Sequence, residues 1–220
     1  MWTFATQKLG LREHNLRWRV HDDAERSFYS KRTEDLEYNT PFGGYKELWG
    51  IAYRTDYDLS QHEKFSGVDL KVVDPSTGRR FLPHVIEPAA GVTRFFLSLL
   101  FDAYREEGDG DAKRVYLQIA PHLAPYRVAV FPLVSNKQAL IMYAKNLFTS
   151  LSQIFPTAWD DRGNIGKRYR AQDEIGTPFC VTVDYQTLED DTVTLRYRDT
   201  MAQERVRVAE LSDKISALVS

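Results

Sequence analysis

The sequence predicts an α/β protein, and three observations carry that reading. Beyond Pro125, strand-like and helix-like segments alternate, the pattern of an α/β domain with a mixed sheet flanked by helices. The first of those strands, Arg127–Leu133 (RVAVFPL), is continuously apolar after its opening arginine, as a strand buried on both faces requires. Hydrophobic residues make up 43% and charged residues 27% of the 220, which suffices for a real core in one or two domains.

The elements follow in order. Residues 1–40 are charged and mixed, with a helix-compatible stretch around Asp22–Lys31. Pro41-Phe42-Gly43-Gly44 reads as a turn. Glu47–Tyr53 reads as a short strand, and Arg54–Ser66 as part helix, part loop. Asp69–Asp74, Pro75-Ser76-Thr77-Gly78 and Arg80–Ile86 read as strand, β-turn and strand. After Gly91, Phe95, Phe96, Leu99, Leu100, Ala103 and Tyr104 recur at helical spacing and form a core stripe, ended by Gly108-Asp109-Gly110-Asp111. A boundary near Pro121–Pro125 divides the chain into 1–120 and 121–220. In the second part Asn136 is placed to cap a helix carrying Leu140, Ala144, Leu147, Leu151 and Ile154 on one side. Strands at Phe179–Asp184, Thr192–Tyr197 and Arg205–Val208 and a helix from Glu210 complete it.

Composition narrows the function. The formal charge of −2 gives no global attraction to nucleic acid, so any such contact needs a local basic patch. Cys180 is the sole cysteine, which excludes an internal disulfide and a cysteine metal cluster and fits a reducing cytoplasm. The longest apolar run, Phe95–Phe101, is far shorter than a membrane span, and the expected location is cytoplasmic.

Two places have chemical character. Val85, Glu87 and Ala89 alternate along a strand, so Glu87 and Ala89 share a face, and a carboxylate there can hold an ammonium by a charge-assisted hydrogen bond. The alternative is a glutamate that pairs with a neighbouring arginine. Arg94 falls in the first helical turn after Gly91, where the helix dipole opposes a cation unless it faces an anion such as a phosphate. The alternative is a surface arginine paired with Glu87 or Asp102. In the second part Lys167, Arg168, Arg170 and Gln172 cluster around Tyr169, a set that can grip phosphates and read unstacked bases, or else form a solvated face. His62 and His84 are assigned no chemistry, and no protein metal site is assigned.

His84–Arg94 (HVIEPAAGVTR) resembles the third motif of class II aminoacyl-tRNA synthetases in its glycyl form, with the motif region at 84–101. Glu47–Leu59 (ELWGIAYRTDYDL) is similar to a stretch of the ATP and glycine pocket in the glycyl-tRNA synthetase family. Ile165–Thr200 resembles that family's anticodon-binding domain almost throughout. The resemblance runs from about Asn15 onward.

The resemblance implies the end of an α+β core with an antiparallel sheet, followed by an anticodon-binding domain. It implies a part in ATP-dependent activation of glycine and its transfer to tRNA(Gly), with ATP and Mg2+ as substrate. Arg94 and Glu87 then serve catalysis, Glu47, Leu48, Gly91 and Arg94 hold ATP, and Glu87 and Ala89 hold glycine. Lys167, Arg168, Arg170 and Gln172 contact tRNA, and a homodimer or an association with an N-terminal half is expected.

Two departures stand out. The first and second class II motifs are not found, so this chain alone is expected not to form the adenylate efficiently. Ala89 and Thr93 stand where the family commonly has a serine and an acidic residue. Loss of a hydroxyl that bonds the substrate weakens recognition by ~1 kcal/mol. A non-catalytic module that keeps the synthetase fold and binds nucleic acid or protein is the alternative.

Overall fold

The computed structural model describes residues 1–110 and 113–219. By its internal contacts the chain separates into two compact units, one over residues 1–101 and one from residue 102 onward.

The first unit is built on a four-stranded antiparallel sheet in the order β1-β2-β3-β6. These strands are β1 (Leu16–Val20), β2 (Arg32–Asn39), β3 (Tyr45–Thr55) and β6 (Val85–Ala90). Between β3 and β6 lie helix α1 (Tyr57–Ser66) and a small hairpin of β4 (Val72–Val73) and β5 (Arg80–Phe81). The hairpin turn is the Pro75–Gly78 element, where Asp74 accepts from the Ser76 and Thr77 hydroxyls and is held down to about 2. Helix α2 (Val92–Ala103) follows β6 directly. One sheet face carries the core: Leu16, Leu36, Tyr38 and Leu48 pack with Phe95 of α2 and with Ala5 and Leu11.

Several expectations for this region change. Asp22–Lys31 forms turns, because the Asp22 side chain accepts from the Ala24 and Glu25 amides and competes with a helix. The predicted strand at Glu47–Tyr53 is longer, covering Tyr45–Thr55. Helix α2 stops at Ala103, and Tyr104 opens a strand. Phe96 and Tyr104 are exposed, since the buried positions of α2 are Phe95, Ser98 and Asp102, at three- and four-residue spacing, together with Ala103 at the helix end. Asp111, part of the expected helix stop, lies outside the described residues.

The second unit opens with a hairpin of β7 (Tyr104–Glu107) and β8 (Arg114–Leu117). Its main sheet has the order β10-β9-β11-β12-β13, parallel across β10, β9 and β11 and antiparallel beyond. The strands are β9 (Val128–Pro132), β10 (Thr157–Trp159), β11 (Phe179–Val183), β12 (Thr192–Tyr197) and β13 (Gln203–Arg207). The helices are α3 (Gln138–Ser152), α4 (Ile165–Ile175), the short α5 (Thr187–Asp190) and α6 (Val208–Val219).

The mixed α/β sheet is as expected, and so is burial of β9 on both faces. Val128 and Val130 face a cluster with Leu140, Ala144, Leu147 and Leu151 of α3 and Leu211 and Ile215 of α6. Ala129 and Phe131 face the other way, with Cys180 and with Ile165 and Tyr169 of α4. The α3 cap is Lys137 in extended backbone rather than Asn136, and Ile154 lies past the helix end and is exposed. Gly176 ends α4 at φ +91, where a Cβ would stand 3.0 Å from the Leu117 carbonyl oxygen.

Candidate functional site

Opposite the core face, the first unit's sheet presents a second face made of charges around a floor of small residues. Directly paired residues in an antiparallel ladder project to the same side. Gly50 pairs with Asp35 on β2 and with Ala89 on β6, and Ala52 pairs with Thr33 and with Glu87. Gly50, Ala52 and Ala89 thus form an open patch of minimal side chains. Around it stand Asp35 and Glu87 and, through β1, Arg19, which pairs with Asp35.

Glu47 joins this face through a β-bulge. The register between β2 and β3 shifts so that Leu36 pairs with Trp49 while Glu37 pairs with Glu47. The extra residue is Leu48, which is buried in the core that Trp49 also packs against. Two consecutive apolar side chains serve the core, and Glu47 is turned to the polar side. A Cβ on Gly50 would stand 3.2 Å from both Asp35 Oδ1 and Glu47 Oε1. Glycine at this position lets two carboxylates converge there.

Each carboxylate on this face is held. Asp35 Oδ2 meets His21 Nε2 at 2.6 Å, and Glu37 Oε2 accepts from Arg17 Nε at 2.7 Å. Glu87 Oε2 accepts from Arg54 Nη1, so the arginine pairing weighed from sequence is present. Arg94 Nη1 donates to the Glu47 carbonyl at 3.0 Å and lies 3.4 Å from Glu47 Oε2. Gly91 bonds its amide to the Leu48 carbonyl at 3.1 Å, and a Cβ there would crowd the Arg94 stem at 3.2 Å. Beside Glu47 and Arg94 opens a cleft of about 410 Å³ with apolar walls from Phe42, Leu48, Leu97 and Phe101.

Glu87 and Arg94 therefore do not touch, and the cleft that Arg94 lines does not include Glu87. Both stay half exposed, with side chains 47% and 59% accessible, and the small-residue floor links Glu87 to Glu47. Sequence reasoning missed Asp35, Glu37, His21 and the Arg54–Asp58 pair. The available signal was the alternation Asp35-Leu36-Glu37-Tyr38, charged and apolar at period two.

In the second unit the four residues expected at nucleic acid divide. Lys167 and Arg170 are exposed on α4, whose N-cap Asn164 accepts from the Lys167 amide at 2.9 Å. Arg168 and Gln172, four residues apart, face inward, and this corrects their assignment. Arg168 is 2% exposed and its guanidinium donates to the carbonyls of Pro132, Leu133 and Gly163. Burial pulls its pKa down, against the nearby charges of Asp160 and Asp161. Gln172 Oε1 accepts from the buried Thr177 hydroxyl at 2.6 Å. Behind α4, Asp173 bonds Arg196 through two contacts of 2.8 and 2.9 Å and Arg114 through one of 3.0 Å, all buried. A hollow of about 640 Å³ opens at the C-terminal end of β9, lined by Leu133, Asn136 and Asn164 among others. In an open α/β sheet this end, at a switch in strand order, is the usual ligand side.

Residues 127–218 match the anticodon binding domain family. The chain is 48% identical over 215 residues to the glycine–tRNA ligase of Clostridium kluyveri, covering 97% of this chain and 45% of the relative. Along nearly its whole length the chain matches glycine–tRNA ligases, and it corresponds to the C-terminal part of a class II synthetase. The glycine–tRNA ligase of Streptomyces coelicolor is 50% identical over 223 residues, covering 98% of this chain and 48% of the relative. The chain spans about half the length of the curated relatives it matches. Among solved structures, a prolyl-tRNA synthetase from Cryptosporidium parvum shares the fold, with a TM-score of 0.71 at 18% identity over 99% of this chain and 44% of that one. That likeness places the synthetase fold on both the charged sheet and the anticodon-binding domain. Among the described residues no helix is long and apolar enough to cross a membrane.

Proposed function

We propose that this chain serves a glycine–tRNA ligase reaction, supplying one wall of the ATP and glycine pocket and the domain that holds the anticodon of tRNA(Gly). The observation that supports it most is the polar sheet face: Asp35, Glu47 and Glu87 around a floor of Gly50, Ala52 and Ala89, with Arg94 at its edge. The fold is one that, in the prolyl enzyme, was crystallised with L-proline and AMP.

In this reading Glu87 receives the glycine ammonium, and Ala89 leaves room above the floor without adding a hydrogen bond. Arg94 and Glu47 place ATP, which brings Mg2+ as part of the substrate. Leu48 and Gly91 contribute by fixing the backbone from which Glu47 and Arg94 project. The glycine carboxylate attacks the α-phosphate, pyrophosphate leaves, and a terminal hydroxyl of the tRNA then takes glycine from the mixed anhydride as AMP leaves. The chain's part is electrostatic placement: an anionic wall for the ammonium and a cation for phosphate. Lys167 and Arg170 contact the backbone of the anticodon stem-loop, and the work is cytoplasmic.

The test is ATP–pyrophosphate exchange, measured for this chain alone and for a fusion to the remaining N-terminal part of the Clostridium kluyveri ligase. Exchange that requires glycine supports the proposal; a folded fusion without exchange overturns it. For the tRNA half, a Lys167→Ala/Arg170→Ala double variant should bind tRNA(Gly) about tenfold more weakly and with a shallower salt dependence in filter binding. Ala89, lacking the family's serine hydroxyl, favours a second reading as a non-catalytic nucleic-acid-binding module. Absent exchange together with RNA affinity indifferent to tRNA identity would select that one.

A further inference from the structure

On the polar face Glu87 is bonded by Arg54, and Arg54 in turn by Asp58. Arg54, on β3, directs Nε and Nη2 to the two Asp58 oxygens, both at 2.6 Å, a bidentate fork. Its remaining edge, Nη1, donates to Glu87 Oε2. The guanidinium lies 4.0 Å over the Tyr29 ring, and Tyr29 is buttressed edge-to-face through Phe28 to Tyr57 of α1. The arginine is thus fixed by a helix carboxylate on one edge and an aromatic plate below, with its third contact aimed at β6. It is 19% exposed and Asp58 is 21%, while Glu87 is 47%. Arg54 and Asp58 are thus well covered, and Glu87 reaches toward solvent.

The charges matter as much as the geometry. Arg54 and Glu87 alone would sum to zero, and an incoming ammonium would meet a neutral pair. Asp58 cancels the guanidinium, and the three groups together keep one negative charge. The same neighbours hold Arg54 firmly protonated, with the Asp58 hydrogen bonds contributing first and Glu87 second. Exposed ion pairs of this kind contribute little to stability, so a purely structural role would give the pairing little consequence. Lysine could not replace the planar fork, because an ammonium cannot hold Asp58 with two parallel bonds while reaching Glu87.

We propose that Arg54 and Asp58 are positioning residues for the amino-acid site: Arg54 orients the Glu87 carboxylate toward the small-residue floor, and Asp58 offsets Arg54 so that Glu87 stays anionic toward the ligand ammonium. The proposal rests on the reading of Glu87 as the ammonium acceptor. Its test uses the exchange-competent fusion, with KM for glycine and for ATP measured separately. A further readout is inhibition by glycolate, which keeps the carboxylate of glycine and replaces its ammonium with a hydroxyl.

Asp58→Asn should raise KM for glycine about tenfold, the loss expected of one charge-assisted contact. KM for ATP and the glycolate inhibition constant should stay put. Asp58→Glu should recover most of the glycine affinity. Arg54→Gln should also weaken glycine selectively, with Arg54→Lys recovering little, and thermal unfolding of each variant confirms that it folds. An unchanged KM for glycine in Asp58→Asn, or equal weakening of glycine and glycolate, overturns this inference while the ligase reading stands. Absence of glycine-dependent exchange in the unmodified fusion takes down the ligase reading and this inference together.

Discussion

In the first unit the four-stranded sheet gives one face to a hydrophobic core and leaves the other to carboxylates and guanidinium groups. In the second unit β9 and β11 are covered on both faces, by α3 and α6 on one side and by α4 on the other. A sheet with one wet face can build a pocket from strand side chains, held by backbone that does not move. A sheet covered twice has only its ends and the outer faces of its helices to offer, and there Lys167, Arg170 and the hollow after β9 are found. The buried charges differ in the same way. Asp173, Arg114 and Arg196 are sealed in and satisfy one another, whereas Glu47 and Glu87 are each engaged on one side only.

That contrast breaks most sharply at Asp173. Asp173→Ala leaves the buried Arg196 guanidinium without its carboxylate and Arg114 with Glu107 alone, and the expected cost is about 3–5 kcal/mol. Urea unfolding should show the loss in the second unit's transition, with the fluorescence of Trp2, Trp18 and Trp49, read in a Trp159→Phe background, reporting an unchanged first unit. A shift of both transitions together would mean that the units do not unfold separately.

Gly50→Ala should do the reverse. The new Cβ displaces Asp35 and Glu47 by a few tenths of an ångström, at a stability cost of about 1 kcal/mol or less, while KM for glycine or ATP in the fusion rises about tenfold. A variant that kept full affinity would show that the convergence of those carboxylates is incidental.

The smallest effect is expected at Cys180. Burial pushes its thiol from 9.0 up to about 12, so iodoacetamide at about pH 8 should leave the native protein unlabelled and label it fully in urea. The sign of the linkage follows from the raised value. The thiol is neutral and costs nothing below its unfolded pKa of 9.0, and the stability tied to it is lost as pH climbs from there through about 12. Tyr143 and Tyr197, also pushed up to about 12 by burial and then by bonds to Asp191 and Glu204, lose stability in the same direction from 10.0 upward. Cys180→Ser should remove only the earliest part of that alkaline decline.

How far the sequence could be read depended on whether an element's environment was written into its own period. Arg127–Leu133 announced a doubly buried strand because no polar residue follows the opening arginine, and Leu140, Ala144, Leu147 and Leu151 announced the inner face of α3. The 1–40 segment was less legible, because Asp22 caps a turn inside a helix-compatible composition and the charged residues of β2 looked like surface. On α4, Arg168 and Gln172 had the chemistry of RNA contacts, and only the carbonyls at Pro132, Leu133 and Gly163, for the arginine, and the Thr177 hydroxyl, for the glutamine, made them interior.

The sequence by itself determined the likeness to glycine–tRNA ligases, the strand that carries Glu87 and Ala89 on one side, the helix opened by Arg94, and the apolar faces of the second unit's core. Tertiary structure alone decided that Glu47 shares a face with Gly50, since a bulge at Leu48 cancels the alternation that would have separated them. It also decided that Arg54 reaches across to Glu87 and forks onto Asp58. Local periodicity records which side of its own element a residue occupies. Which partner that side meets depends on register and on chain brought in from tens of residues away, and no local pattern encodes it.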